Sequence, residues 1–160
     1  MTERDAGERL DFRSDTVTRP SDEMREAAAS ADVGDDVKRE DPTVNELERR
    51  AADLMGKEAG LYVPSGTMGN QIAARVHTDR GQEVVVDEGG HVYQWEVGGL
   101  AQLSELQVRP IDFGPDAVPT PAQLREVMTE EALHVAGTGL LCLENSHNSR
   151  GGVAVGPDGI

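Results

Sequence analysis

Four short apolar runs, at residues 59–63, 83–87, 106–111 and 139–143, constrain this chain more than anything else in it. Each is too short for a buried helix. The second carries Val84-Val85-Val86 with no polar residue between, the pattern of a strand covered on both faces. Helical punctuation separates the runs. Ser21 opens a helix through about Ala31. Asp41-Pro42-Thr43 stops the chain and restarts it: Thr43 with Glu46 reads as a capping box, Val44, Leu47, Ala51 and Leu54 recur at helical spacing, and Gly56 is the expected residue after the last turn. A helix from about Met68 to His77 follows the first run. Thr120, Pro121 and Gln123 open another, with Leu124, Val127 and Met128 on one side. Strands alternating with amphipathic helices predict an α/β domain built on a mostly parallel sheet flanked by helices. The expected organisation is a disordered polar tail over residues 1–9 and one domain portion over residues 10–160.

Charge narrows the partners. Thirty acidic residues face 15 basic ones, a formal net charge of −15, so nucleic acid and anionic membrane surfaces are both repelled. Only Lys38 and Lys57 are lysines, and aromatics make up 3% of the chain, a balance that fits a halophile-like acidic surface. The first ten residues are charged rather than apolar, and no run is long enough to span a bilayer. Cys142 stands alone in an apolar run and reads as a small buried hydrophobe. With no disulfide possible inside the chain, a cytoplasmic location is expected. No residue set is assigned to a metal.

Residues 61–71, Leu-Tyr-Val-Pro-Ser-Gly-Thr-Met-Gly-Asn-Gln, concentrate the functional signal. An apolar run stops at Pro64, turns through Ser65-Gly66-Thr67 and enters a helix. Backbone N–H groups, two hydroxyls and the positive end of a helix dipole then meet at one spot, which suits a phosphate. Ser and Thr at a helix start are also ordinary caps, so the turn alone is weak. In open parallel sheets ligands sit beyond the carboxyl ends of the strands. That rule gathers Ser65–Thr67, the 87–93 segment with His91, and the 144–148 loop with His147 around one crevice. Two histidines at strand ends beside a phosphate cradle suggest an acid–base pair. His77 and His134 lack that setting and read as structural.

Several motifs then fall into one register: residues 13–20 (Arg-Ser-Asp-Thr-Val-Thr-Arg-Pro), 33–37, 40–48 (Glu-Asp-Pro-Thr-Val-Asn-Glu-Leu-Glu), 64–67, His91, and 143–148 (Leu-Glu-Asn-Ser-His-Asn). In order and spacing they resemble the threonine aldolases, of the pyridoxal-phosphate-dependent aromatic amino acid β-eliminating lyase/threonine aldolase family, and the resemblance covers almost everything from Leu10 onward. It implies an incomplete large domain of the aspartate-aminotransferase-like, fold type I kind. It implies a pyridoxal 5′-phosphate cofactor anchored by Ser65, Gly66 and Thr67, His91 stacked on the pyridine ring, Ser14 helping to hold the substrate α-carboxylate, and His147 near the substrate hydroxyl. The implied reaction is retro-aldol cleavage of a β-hydroxy-α-amino acid such as threonine to glycine and an aldehyde, with His147 or His91, directly or through a water, as the base.

Two departures from the family pattern matter. Val37-Lys38-Arg39-Glu40 stands where the family commonly has Tyr-Gly before the acidic residue. The Schiff-base lysine, the aspartate that pairs with the pyridine nitrogen and an arginine for the substrate carboxylate lie in the family well beyond the 144–148 loop, at positions after Ile160. Lys57, expected after a helix end and across a strand from the crevice, does not replace that lysine, nor does Lys38. The expectation is an amino-terminal fragment, inactive and poorly soluble alone. The alternatives are a non-catalytic subunit that completes a split enzyme with a carboxyl-terminal fragment, a sister β-eliminating lyase, or a stand-alone phosphate-binding module. Family members are homo-oligomers acting on small amino acids.

Overall fold

The computed structural model describes residues 10–159; the tail assigned to residues 1–9 lies outside them. The chain divides into two compact units, one ending at Pro64 and the other starting at Ser65.

The first unit is helical. A 3-10 turn at Asp15–Val17 starts from Ser14, whose hydroxyl accepts the Thr16 N–H. Helix α1 (Asp22–Ser30) is capped by the expected Ser21. Helix α2 (Pro42–Met55) ends at Gly56, which takes the left-handed conformation that glycine tolerates best. Its start differs from the capping box read at Thr43. Asp41 is the N-cap, with Pro42 in the first turn, and Thr43 donates instead to the Asp32 carbonyl. Pro at the first helical position favours the residue before it as the cap. The Asp41 carboxyl is held below its usual range by the N–H groups of Val44 and Gly34.

Two further expectations fail in this unit. Residues 59–63 form no strand: the Tyr62 N–H goes to the Glu48 carboxylate at 2.9 Å instead of to a ladder. Leu54, read as part of a buried stripe, is exposed, and the residues that α2 buries are Glu48 and Ala52. Glu48 also accepts from Arg39 at 3.0 Å, so the departure at Lys38-Arg39 supplies this carboxylate with its cation.

The second unit carries the sheet. Helix α3 (Gly66–His77) precedes strand β1 (Glu83–Asp87). Helices α4 (His91–Gln94) and α5 (Gly99–Ser104) lead to strand β2 (Gln107–Ile111). Helix α6 (Pro121–Val127) leads to strand β3 (Thr138–Leu141). The strands are parallel, in the order β2-β1-β3. Central β1 is buried along its whole length, which explains its unbroken valines. Val84, Val86, Ala74, Leu100 and Leu106 form the core, with Leu140 and Cys142 packed against it. Each fully buried valine contributes about 1.5–3 kcal/mol of apolar transfer.

Local signals at the later elements hold. Thr120 and Gln123 form a reciprocal capping box on α6. The β1–β3 register slips between Glu83 and Val84, beside Gly139, where a β-carbon would collide with the Gln82 amide. No helix among the described residues is long and apolar enough to cross a membrane.

The strand order positions the site. From β1 the chain moves to one side to make β2, then crosses back over β1 to make β3. The connections diverge at β1, and its carboxyl end, at Asp87, is the place where such sheets open a crevice.

Candidate active site

A cavity of about 430 Å³ lies at that end. Asn70, Ala73, Ala74 and His77 of α3 form one wall. Asp87, Gly90 and His91 after β1 form a second, and residues 140–145 of β3 and its loop form a third. The sheet therefore brings His91 together with Glu144 and Asn145 of the 144–148 loop, while His147 and the Ser65–Thr67 turn do not line this cavity. His77, read as structural, also borders this space.

Asp87 organises the floor. Its carboxylate is almost wholly buried. Oδ2 lies 2.8 Å from His147 Nε2, Oδ1 accepts the Phe113 N–H at 3.0 Å, and Arg150 grips both oxygens at 2.8 and 3.2 Å. Burial alone would raise this carboxyl. The Arg150 guanidinium, the Phe113 N–H and His147 outweigh it, and the group ends below its ordinary value. Arg150 also reaches Asp112 at 2.7 Å, tying the loops after all three strands into one clasp.

His147 is fully buried, at 0% exposure. With Nε2 committed to Asp87, its Nδ1 has no hydrogen-bond partner. Glu144, in the same loop, accepts the His91 backbone N–H at 2.6 Å and the Asn148 N–H at 2.9 Å. It thereby caps the short helix α4, where Gly90 offers no side chain for the purpose.

Of the two candidate histidines His91 is the accessible one, its side chain 48% exposed. Nδ1 lies 2.9 Å from Oε1 of buried Glu96. The same carboxylate accepts from Asn70 at 2.6 Å and from Gln71 at 2.7 Å. Glu96 thus links His91 to the second turn of α3.

The Ser65-Gly66-Thr67 turn begins α3. The Ser65 hydroxyl caps the Met68 N–H at 3.1 Å, and a β-carbon placed on Gly66 would meet nothing within 4 Å. The N–H groups of Gly66 and Thr67 have no helical acceptor by position. The side chains of Ser65 and Thr67 border a different depression, of about 460 Å³, shared with Met68, Ile72, Val76 and Leu103. What joins the turn to His91 is α3 itself: Asn70 stands about 6 Å further along the axis than Gly66. Ser14 belongs to the other unit, as the cap of its first turn.

Cys142 lines the cavity, half-buried, and burial with the nearby Glu96 charge pushes its thiol up to about 11. Among the described residues no group of three or more His, Cys, Asp or Glu side chains is placed to hold a metal ion. Sequence reasoning missed Asp87, Glu96 and Arg150 as site residues. Asp87 alone had a signal, as the polar residue that ends the valine strand.

Comparison with known proteins places this geometry. The family model described as beta-eliminating lyase matches residues 11–160. The low specificity L-threonine aldolase of Escherichia coli strain K12 is 45% identical over 141 residues, 88% of this chain and 42% of that protein. The low-specificity L-threonine aldolase 1 of Arabidopsis thaliana is 43% identical over 148 residues, covering 89% and 41%. A probable low-specificity L-threonine aldolase of Schizosaccharomyces pombe is 40% identical over 138 residues, covering 85% and 37%. The chain spans about two fifths of the length of these relatives. A match along nearly its whole length, on a parallel sheet whose crevice holds His91 and residues 143–145, shows that this chain belongs to the beta-eliminating lyase family.

Proposed function

We propose that this chain forms part of a pyridoxal 5′-phosphate-dependent lyase of the threonine aldolase type, splitting β-hydroxy-α-amino acids such as threonine into glycine and an aldehyde. The observation that carries the reading is the placement of an open helix start and an accessible imidazole on one hydrogen-bonded frame. The first turn of α3 offers unpaired N–H groups with hydroxyls beside them, and one turn later Asn70 is coupled through Glu96 to His91. That donor set suits a phosphate, and the half-exposed imidazole suits the face of an aromatic ring. The residues present therefore fit the phosphate and ring of the cofactor. When bound, the cofactor supplies an electron sink for breaking a bond at the amino acid α-carbon.

The chain's own residues have separable tasks in this proposal. Ser65, Gly66 and Thr67 bind the phosphate. His91 covers the ring, and Ser14 takes the substrate carboxylate. Asp87 holds the Nε2 proton of His147, leaving Nδ1 as the nitrogen able to accept another. Lys38 is paired with Asp35, and neither it nor Lys57 serves as the Schiff-base lysine in this proposal. Residues 1–160 by themselves are expected to bind the cofactor without covalent attachment and to give no turnover. A small amino acid substrate, homo-oligomeric assembly and a cytoplasmic location belong to the same proposal.

Trp95, the single tryptophan, directly follows α4 and reports on binding. Pyridoxal phosphate should quench its fluorescence saturably, inorganic phosphate should compete, and Thr67→Ala should weaken the effect. Equal quenching by pyridoxal, which lacks the phosphate, would refute the anchoring role of the turn.

A further inference from the structure

Glu96 has no place in the motifs, yet it is the buried carboxylate on which the frame converges. Both oxygens are occupied: Oε1 by Asn70 at 2.6 Å and His91 at 2.9 Å, Oε2 by Gln71 at 2.7 Å. A carboxylate only accepts, and the Asn70 and Gln71 contacts come from amide nitrogens that only donate. Nδ1 of His91 must then donate as well. The room for this arrangement is built in. A β-carbon on Gly99 would lie 2.7–2.9 Å from the Gln71 amide, so glycine there lets Gln71 reach Glu96.

We propose that Glu96 is the positioning residue of the site: clamped by Asn70 and Gln71, it fixes His91 as the Nδ1–H tautomer and holds its ring in register with the start of α3. His91 needs such a holder. Its side chain is half exposed, and α4, which carries it, is a four-residue helix that cannot restrain a ring by its own packing. Anchoring by a partner behind a ligand-contacting imidazole sets both which nitrogen carries the proton and which way the ring faces. The consequence for cofactor binding rests on the proposed function; the tautomer does not.

The test is nitrogen-15 NMR of the histidines in the full chain at pH 8 without cofactor, with His91→Ala assigning the signal. Wild type should show Nδ1 protonated, and finding the ordinary Nε2–H form there would overturn the proposal whatever the variants do. Glu96→Ala should release the tautomer and weaken pyridoxal phosphate binding about tenfold, the scale on which lost second-layer support acts. Glu96→Gln should rescue both. Its amide oxygen can sit between Asn70 and His91, while Gln71 flips to present Oε1, an atom now without a partner. An unchanged tautomer in Glu96→Ala, or a Glu96→Gln protein that melts like wild type but behaves like Glu96→Ala, would overturn positioning by geometry. If the tautomer responds as expected and the wild-type chain binds no pyridoxal phosphate, the positioning role stands and the proposed function falls.

Discussion

Replacing Asp87 by alanine removes the acceptor at which the loops after all three strands meet. The cost follows from what each donor does next. Arg150 keeps Asp112 at 2.7 Å and is partly solvated, so it is not stranded. The Phe113 N–H and the Nε2 of fully buried His147 lose their acceptor, and each such loss costs about 1–3 kcal/mol. Together they give about 2–6 kcal/mol, a span centred on the roughly 3–5 kcal/mol seen when one partner of a buried ionic pair is removed. Against a total stability of about 5–15 kcal/mol this is large, and at a urea slope near 2 kcal/mol/M the midpoint falls by about 2 M. Asp87→Asn should be milder, because one oxygen still serves Phe113 and Arg150. Asp112→Ala, at an exposed carboxylate, should cost under about 1 kcal/mol. The sign with pH is also fixed. Asp87 titrates lower in the folded chain than in the unfolded one, so its contribution is complete above the unfolded value of about 3.9 and is lost as pH falls through the folded value. Urea denaturation followed by circular dichroism, at pH 7 and across pH 5 to 2, measures both effects. Should Asp87→Ala prove as mild as Asp112→Ala and keep the wild-type acid limb, the clasp is not what holds these loops.

The thiol of Cys142, pushed up to about 11, has a thiolate fraction at pH 8 about 100-fold below that of an ordinary cysteine, and a chromogenic disulfide reagent should label it correspondingly slowly until urea is added. Gly99→Ala places a methyl group against the Gln71 amide and should cost about 1–3 kcal/mol in thermal or urea melts while loosening Glu96; a neutral effect would mean that Gln71 is not confined. With a net charge of −15, the chain should gain stability on going from low salt to molar sodium chloride, and a melting temperature independent of salt would remove self-repulsion as a factor.

What could be read from the residues follows from the range of the forces that act on them. The valine strand and the Thr120–Gln123 box are local, and both are where the sequence puts them. Residues 59–63 have a strand's composition, but strands exist through pairing, and here the Tyr62 N–H goes to Glu48, 14 residues away. The stripe through Leu54 has the period of a buried face without a neighbour in its own unit to bury it. Helices α4 and α5 are four and six residues long, too short for any period to show. The histidines were legible through their loops and their motif. Glu96 was not, because its amide partners lie 25 and 26 positions away and nothing around Trp95 and Val97 marks the residue between them. Asp87 is separated from His147 by 60 positions, so only the fold makes them a pair.

The two candidate bases are therefore unequal. His91 lines the cavity and has a free edge; His147 is sealed, with one nitrogen on Asp87 and the other without a partner. Truncating an exposed side chain costs little stability, whereas truncating buried His147 leaves a cavity and takes one donor from the buried Asp87 carboxylate, whose Oδ2 then keeps only Arg150. His147→Ala should thus lower stability by about 2–4 kcal/mol and leave pyridoxal phosphate affinity, measured below the transition, within about twofold of wild type. His91→Ala should do the reverse, melting within about 1 kcal/mol of wild type and losing most of the ring's contribution to binding. If His147→Ala instead melts normally and abolishes binding, the buried ring is reaching the ligand. The closed cavity would then be one state of a loop that opens, and Nδ1 of His147 would be the atom that meets the substrate hydroxyl.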